Sequence, residues 1–389
     1  MKMKKILSMI LAIVMACSVL VTLTACNDKD TDGTTKVGEP GKTDTYEIAL
    51  ITDKGTIDDK SFNQGAWEGV VQYATEFNKT HKYYQPTEAS DNDYIAAIEL
   101  AIKGGAKIVV CPGFLFEVAI YNVQSKYPEV NFILLDGAPR TEDSSDFRTD
   151  KNVVSIFYAE EEAGFLAGYA AVKDGMKGLG FMGGMAVPPV IRFGYGYIQG
   201  AEAAAKELGL EKGSVNVKYY YTGDFKATPD IETMSASWFK SNIDVIFGCG
   251  GAVGNSVMSA AEKMADKKVI GVDVDQSKDS ETVITSAIKL LKKSVYDNIT
   301  DYYNDSFKGG ISQILDAKVD GVGLPMATSK FTTFNQADYE AVYAKIVSGD
   351  YTILKDDQVG KDGDPTTADA ENKLPALVTE YVKVDYVKK

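Results

Sequence analysis

The sequence is poor in residues that carry metal and redox chemistry: one histidine, two tryptophans and four cysteines among 389 residues. With His81 alone, in a polar stretch that reads as a helix end, neither a histidine-rich zinc site nor histidine-based acid–base catalysis is supported. Of the cysteines, Cys17 and Cys26 fall near the start, and only Cys111 and Cys249 remain for a folded body. Each ends an apolar, strand-like run, so both read as buried free thiols rather than a disulfide framework. Basic charge is also short. Lys and Arg number 41 against 55 Asp and Glu, and no long basic stripe offsets the deficit, which excludes a phosphate backbone as a natural partner. No Gly-x-Gly-x-x-Gly follows the first strand-like run, and no Gly-x-x-x-x-Gly-Lys-Ser/Thr occurs, so tight cradling of a nucleotide phosphate is not indicated. Hydrophobic residues at 45% and charged residues at 25% are ordinary globular usage, which excludes global disorder and a multi-span membrane protein.

What is present begins with an export signal. Lys2, Lys4 and Lys5 precede an apolar run from residue 6 to 23, and small residues lead to Cys26. That order is a secretory n-region, h-region and cleavage site over residues 1–25. Leu23-Thr24-Ala25-Cys26 resembles the bacterial lipobox, in which the Cys thiol receives a lipid and becomes the first residue. Removal of the three lysines would take the net charge from −14 to about −17. Residues 27–45 carry Val37 as the only aliphatic side chain. They read, with Cys26, as a polar tether reaching roughly 25 Å.

From residue 46 onward, β-rich runs alternate with segments of helical period. Strands are expected over 46–52, 107–111, 131–135, 153–157, 178–182, 215–220, 244–247, 268–272 and 282–286, and helices over 58–78, 94–103, 160–173, 190–208, 227–241, 256–265 and 287–303. Such alternation predicts an α/β fold of parallel sheets with helices on both faces. A body of this length needs two such units. An internal echo supports two similar halves: strand, glycine-containing loop and helix recur, with Phe62 seven residues before Gly69 and Phe193 seven before Gly200. Ligands of doubly wound sheets bind at strand carboxyl ends, so the first strand-to-helix turn of each half is expected to face an interdomain cleft.

The densest chemistry lies in Thr52-Asp53-Lys54-Gly55-Thr56-Ile57-Asp58-Asp59-Lys60-Ser61-Phe62-Asn63-Gln64. Asp58, Asp59 and Ser61 suit helix capping and Phe62 suits a core position. Asp53 and Asn63 instead offer a carboxylate and an amide at a turn, with an aromatic between them. The acid cluster also bears a first-sight similarity to calcium-dependent nucleoside hydrolases. However, Ile51 stands where their first carboxylate would be, a serious loss for an ion that takes six to eight oxygens. The glycines of 247–254 suit a close backbone approach to an uncharged ligand or a plain turn.

Taken together, Ala49-Leu50-Ile51-Thr52-Asp53 leading into Asp58-Asp59-Lys60-Ser61-Phe62-Asn63-Gln64-Gly65-Ala66-Trp67-Glu68-Gly69 resembles the signature of the BMP family of substrate-binding lipoproteins, which includes purine nucleoside receptors of ABC transporters. Further matches are Ile133-Leu134-Leu135-Asp136-Gly137, Ala163-Gly164-Phe165-Leu166-Ala167-Gly168, Gly271-Val272-Asp273-Val274-Asp275-Gln276 and Thr285-Ser286-Ala287-Ile288-Lys289, and the resemblance spans about residues 46 to 325. It implies a type I periplasmic-binding-protein fold, two doubly wound parallel-sheet lobes joined by a hinge of three crossings. The expected first lobe is 46–157 plus about 275–325, and the second is 158–274 plus the C-terminal region.

The resemblance also implies a nucleoside held between closing lobes, with no catalysis, cofactor or metal. Its base would stack on Phe62 and on Phe247, with Phe193 as the competing second aromatic. Base-edge hydrogen bonds map to Asp53, Asn63 and Asp136, and ribose contacts to Asp273, Lys289 and the Gly250-Gly251 backbone. The partners implied are an ABC permease and ATPase on separate chains and a membrane reached through lipid on Cys26, with the receptor a monomer. A sugar or other small polar ligand, or a signalling or adhesin role, is the alternative. Three features depart from the family pattern: Lys54 directly after Asp53, Ala252-Val253 where a Thr is usual, and Pro188-Pro189-Val190-Ile191-Arg192. A polar segment at 355–373 has no function from sequence.

Overall fold

The computed structural model describes residues 45–355, 363–367 and 376–388. The export signal, Cys26 and nearly all of the tether lie outside the described residues. Among the described residues no helix is long and apolar enough to cross a membrane.

The chain opens with β1 (Ile48–Ile51), α1 (Phe62–Glu76), β2 (His81–Tyr84), α2 (Asp91–Lys103), β3 (Ile108–Pro112), α3 (Glu117–Gln124), β4 (Asn131–Leu135) and β5 (Val153–Tyr158). It continues through α4 (Glu160–Lys173), β6 (Gly178–Gly183), α5 (Pro188–Glu207), β7 (Val215–Tyr221), α6 (Pro229–Lys240), β8 (Val245–Cys249), α7 (Val253–Ala261), β9 (Lys268–Asp273) and β10 (Val283–Lys289). Last come α8 (Leu291–Tyr303), β11 (Ile311–Leu315), β12 (Val322–Gly323), α9 (Gln336–Ser348) and β13 (Val382–Tyr386).

These strands form two sheets. The first runs β11-β5-β4-β3-β1-β2 and the second β12-β10-β9-β8-β6-β7-β13. Every pairing is parallel except that of β12 with β10. Strands such as Ile-Ala-Leu-Ile in β1 and Ile-Val-Val-Cys-Pro in β3 are buried throughout, as a parallel sheet covered by helices on both faces requires. Both halves repeat one strand order, second-first-third-fourth-fifth, the doubly wound arrangement whose ligand crevice lies at the carboxyl ends of the strands.

The chain crosses between lobes after β5, after β10 and after β11. The expected second crossing near residue 275 is corrected by this topology. β10 pairs in parallel with β9, Ser286 opposite Gly271, so residues 283–289 belong to the second lobe, and only 291–315 return to the first. The β-branched run Val283-Ile284-Thr285 continues as strand to Lys289, so the helix expected from 287 begins at Leu291. The edge strands β2, β11, β12 and β13 and the helices α3 and α9 were not expected from sequence. His81 stands on β2, its ring 5.4 Å from that of Trp67, rather than at a helix end.

Glycines set the helix spacing that matters for the cleft. A Cβ on Gly164 of α4 would stand 2.1 Å from the Phe193 carbonyl of α5, and one on Gly200 of α5 would stand 1.9 Å from the Phe165 carbonyl of α4. The two helices therefore touch backbone to backbone, which holds their N-terminal residues Glu160 and Arg192 side by side. Gly69 plays the same part in the first half, where a Cβ would stand 2.6 Å from the Lys292 carbonyl of α8.

Candidate functional site

A cavity of about 600 Å³, mouth included, lies between the lobes at the carboxyl ends of the strands. Eight of the nine residues expected at the ligand line it: Asp53, Phe62, Asn63 and Asp136 on the first lobe, and Gly250, Gly251, Asp273 and Lys289 on the second.

Phe247 does not line it. Side chains alternate along a strand, and Val245, Phe247 and Cys249 share one face of β8. Phe247 is two residues short of the strand end, so Cys249 reaches the cavity and the Phe247 ring lies a layer beneath, edge-on to Phe193 at 5.8 Å and to Tyr197 at 5.4 Å. The competing aromatic, Phe193, lines the cavity instead, as does Phe225. The echo of Phe62 in Phe193 is therefore a correspondence in space.

The first polar group is built on the turn between β1 and α1. Asp59 organises it. Its Oδ1 accepts from the backbone N–H of Ser61 and Gln64 at 2.8 and 3.1 Å, and its Oδ2 from the N–H and side-chain amide of Asn63 at 3.1 and 3.0 Å. Asp59 thus satisfies orphan donors of the first helical turn. Asp58 is exposed and Ser61 makes no side-chain capping bond, so the capping expected of all three falls to Asp59. The Asn63 amide is shared with Asp53 Oδ1 at 2.9 Å, and the Gly55 N–H donates to the same oxygen at 2.8 Å. Asn63 therefore aims Asp53, leaving little of its own amide for a ligand. Burial pushes the Asp53 carboxyl up to about 6, against the lowering effect of Gly55 and Asn63, with Asp59 and Asp273 adding to the rise.

The second polar group centres on Lys289, at the end of β10. Its ammonium donates to Asp136 Oδ2 at 2.6 Å and lies 2.8 Å from Glu160 Oε1 and 3.9 Å from Asp273 Oδ1. Glu160 Oε2 accepts from Arg192 Nε at 2.6 Å. Asp273 Oδ2 accepts the Ser61 hydroxyl at 2.5 Å. Asp136, directly after β4, and Asp273, at the end of β9, have left-handed backbone, φ of 61° and 66°, a conformation Asp tolerates better than most residues. Burial works against the Lys289 ammonium, but Asp136, Glu160 and Asp273 outweigh it and hold its pKa above that of an ordinary lysine.

One ammonium cannot compensate three buried carboxylates equally. Burial raises all three, yet Glu160, held by both Arg192 and Lys289, ends below its usual value. Asp136 is pushed up to about 7 and Asp273 to about 6, burial outweighing Lys289 in both. Asp136 Oδ1 is buried with no hydrogen-bond partner among the described residues, and a ligand donor would satisfy it. Asp136, expected beside Asp53 and Asn63, thus belongs with Lys289 and Asp273.

The Lys289 ammonium also lies 4.8 Å from the centroid of the Phe62 ring and 5.3 Å from that of Phe193. The two rings, one from each lobe, bracket the same charge, within cation–π range. Glu160, Arg192 and Phe225 were missed from sequence. Glu160 opens an acidic triplet that reads as ordinary helix-dipole complement, and only the oddity of 188–192 pointed toward Arg192.

The sequence profile of the family described as PnrA-like ABC transporter substrate-binding protein matches residues 47–357. A Lactococcus lactis protein named ABC transporter nucleoside-binding protein BmpA is 33% identical over 353 residues, 84% of this chain and 94% of its own length. A CD4+ T-cell-stimulating antigen of Listeria innocua is 29% identical over 353 residues, 86% of this chain and 94% of its own length. Among solved structures, an ABC transporter solute-binding protein from Aeropyrum pernix superposes with a TM-score of 0.68 at 24% identity, covering 80% of this chain and 94% of that one. One from Conexibacter woesei gives 0.60 at 19%, covering 80% and 99%. At those identities the structures speak for the two-lobed solute-binding fold alone.

Proposed function

The chain belongs to the family of PnrA-like ABC transporter substrate-binding proteins, and we propose that its ligand is a nucleoside, held in the interlobe cavity of a receptor anchored by lipid on Cys26. Family membership makes it a binding protein rather than an enzyme, with a small-molecule ligand and a permease and ATPase as partners. The observation that carries the nucleoside reading is the pairing of two aromatic rings from opposite lobes with two separate polar groups in one cavity. A flat base suits the rings, Asp53 suits a ring or exocyclic N–H, and Asp136, Asp273 and Lys289 suit sugar hydroxyls, which both donate and accept. The name of the Lactococcus lactis relative supports the same ligand class.

Stacking at about 1–3 kcal/mol per base and charge-assisted hydrogen bonds at about 1.5–3 kcal/mol each bring micromolar affinity, about −8 kcal/mol, within reach. Calorimetry with nucleosides, free bases and sugars tests the reading. Nucleosides should bind tightest, and tighter binding of a sugar or a free base would overturn it. The anchor is tested separately: Cys26→Ala should leave a folded body that no longer partitions with membranes, whereas a cleaved, still acylated variant in the membrane fraction would refute lipidation there.

A further inference from the structure

We propose that Lys54 and Asp224 form a latch across the mouth of the cleft that sets how fast the ligand leaves. The proposal rests on the nucleoside reading only for its kinetic probe. Lys54 Nζ lies 3.4 Å from Asp224 Oδ2, and the pair joins residues from opposite lobes. Lys54 is also the residue noted above as following Asp53 against the family pattern.

Its position gives the pair leverage. Lys54 follows β1, three strands from β5 in the first sheet, and Asp224 follows β7, four strands from β10 in the second. Since β5 and β10 feed two of the crossings, strand spacing puts the pair about 14–19 Å from the hinge side. A hinge rotation of about 20° would separate the two side chains by about 5–7 Å, far beyond contact. Lys289 ends β10 at a crossing and Asp273 ends the adjacent β9, while Ser61 precedes α1, whose Gly65 packs on Leu291 just past that crossing, so these contacts are moved less by the same rotation.

Both ends of the latch adjoin the cavity wall. Lys54 directly follows Asp53. Asp224 Oδ1 accepts from the Phe225 N–H at 2.7 Å, and Phe225 lines the cavity. The Phe225 carbonyl in turn accepts from Ala252 N at 2.9 Å, which seats the ring beside Gly250 and Gly251. Holding Asp224 therefore holds Phe225 over the glycine loop. Lys226 stands 4.0 Å from Asp224, so Asp224 retains a cation when the lobes part.

The side chains of the pair are 23% and 38% exposed, so solvent screens the attraction and its effect is modest. The test is a double-mutant cycle on the full-length chain in detergent micelles, reading dissociation of adenosine and guanosine by stopped flow. Lys54→Ala and Asp224→Asn should each speed release by about 3- to 5-fold, the Asn keeping an acceptor for Phe225 N. The double variant should be no faster than either single, and Lys54→Arg should stay within about 2-fold of wild type. Raising salt from about 0.05 to 0.5 M should speed release from wild type but not from Lys54→Ala. Additive effects, or unchanged release in Lys54→Ala, would overturn the latch.

If no nucleoside binds wild type, the nucleoside reading fails, and the latch is then judged in the ligand-free protein. Amide exchange at Phe225 and Ala252 should rise in Lys54→Ala and return in Lys54→Arg. Identical exchange in all three proteins would sink it.

Discussion

Ser61, on the first lobe, donates its hydroxyl to Asp273 Oδ2, on the second, at 2.5 Å. The bond spans the hinge side of the cleft and lowers the Asp273 carboxyl, which burial otherwise raises. Ser61→Ala should therefore do two things at once: weaken nucleoside binding at pH 7.5 by about 10-fold, the scale of one charge-assisted hydrogen bond, and move the Asp273 pKa upward from about 6. Ser61→Thr should restore both. Carboxyl titration by NMR beside calorimetry checks this, and an affinity loss without a pKa change would mean that Ser61 acts through closure alone.

A second expectation concerns pH. The Asp53 carboxyl is raised from 3.8 to about 6 in the folded protein, so between those values the native state holds more of this proton than the unfolded chain. Stability from this group is then present at low pH and lost as pH rises toward and past 6. Asp53→Asn removes the charge and keeps an acceptor for Gly55 N–H. In the ligand-free protein it should raise the melting temperature at pH 7.5 and leave it nearly unchanged at pH 4, while weakening nucleoside binding at pH 7.5. Thermal unfolding at both pH values checks the sign, and a variant less stable at pH 7.5 than wild type contradicts it.

The aromatic pair separates packing from binding. Phe193 lines the cavity and Phe247 lies beneath it. Phe193→Leu keeps an apolar side chain and removes the ring, so nucleoside affinity should fall by about 5- to 150-fold, following the loss of about 1–3 kcal/mol of stacking. Phe247→Leu should cost about 1 kcal/mol of stability and change affinity by less than about 3-fold. Calorimetry and denaturant unfolding on both variants decide the matter, and the reverse pattern would return the stacking role to Phe247.

The sequence made most of this architecture legible because the strands that matter are buried on both faces. Runs such as Ile133-Leu134-Leu135 leave little doubt about period, and β4 (Asn131–Leu135) and α4 (Glu160–Lys173) coincide with their expected bounds. Edge strands carry a weaker signal. His81-Lys82-Tyr83-Tyr84 on β2 and Ile311-Ser312-Gln313-Ile314 on β11 are polar or half-exposed, and nothing local distinguishes them from loop. In the site, Asp136, Asp273, Lys289 and the Gly250-Gly251 backbone were expected through the family resemblance, and the topology brings the strand ends that carry them to the cleft. Depth along a strand was not readable, which is why Phe247 was expected where Phe193 stands. Glu160 and Arg192 meet only because glycines bring α4 and α5 into backbone contact, and a pairing across 32 residues leaves no trace in either segment alone.

The last prediction assigns ends of the ligand. If Asp273 and Lys289 hold the ribose while Phe62 stacks the base, then Asp273→Ala should narrow the difference in affinity between ribonucleosides and deoxynucleosides. A site built to hydrogen-bond a hydroxyl rejects the analogue lacking it because a buried polar group is left unpaired. Removing Asp273 removes that group, so the penalty for a missing hydroxyl falls, and ribonucleosides lose more affinity than deoxynucleosides. Phe62→Ala should weaken both sugar classes alike, since stacking does not depend on the hydroxyl. Asp136, bonded to the same ammonium at 2.6 Å, should behave like Asp273 rather than like Asp53. Calorimetry with matched ribo and deoxy ligands on the Asp273, Asp136 and Phe62 variants settles the assignment. A wild-type ribo-to-deoxy ratio in Asp273→Ala would place the sugar elsewhere, and a narrowed ratio in Phe62→Ala would mean that the ring orders the ribose as well as the base.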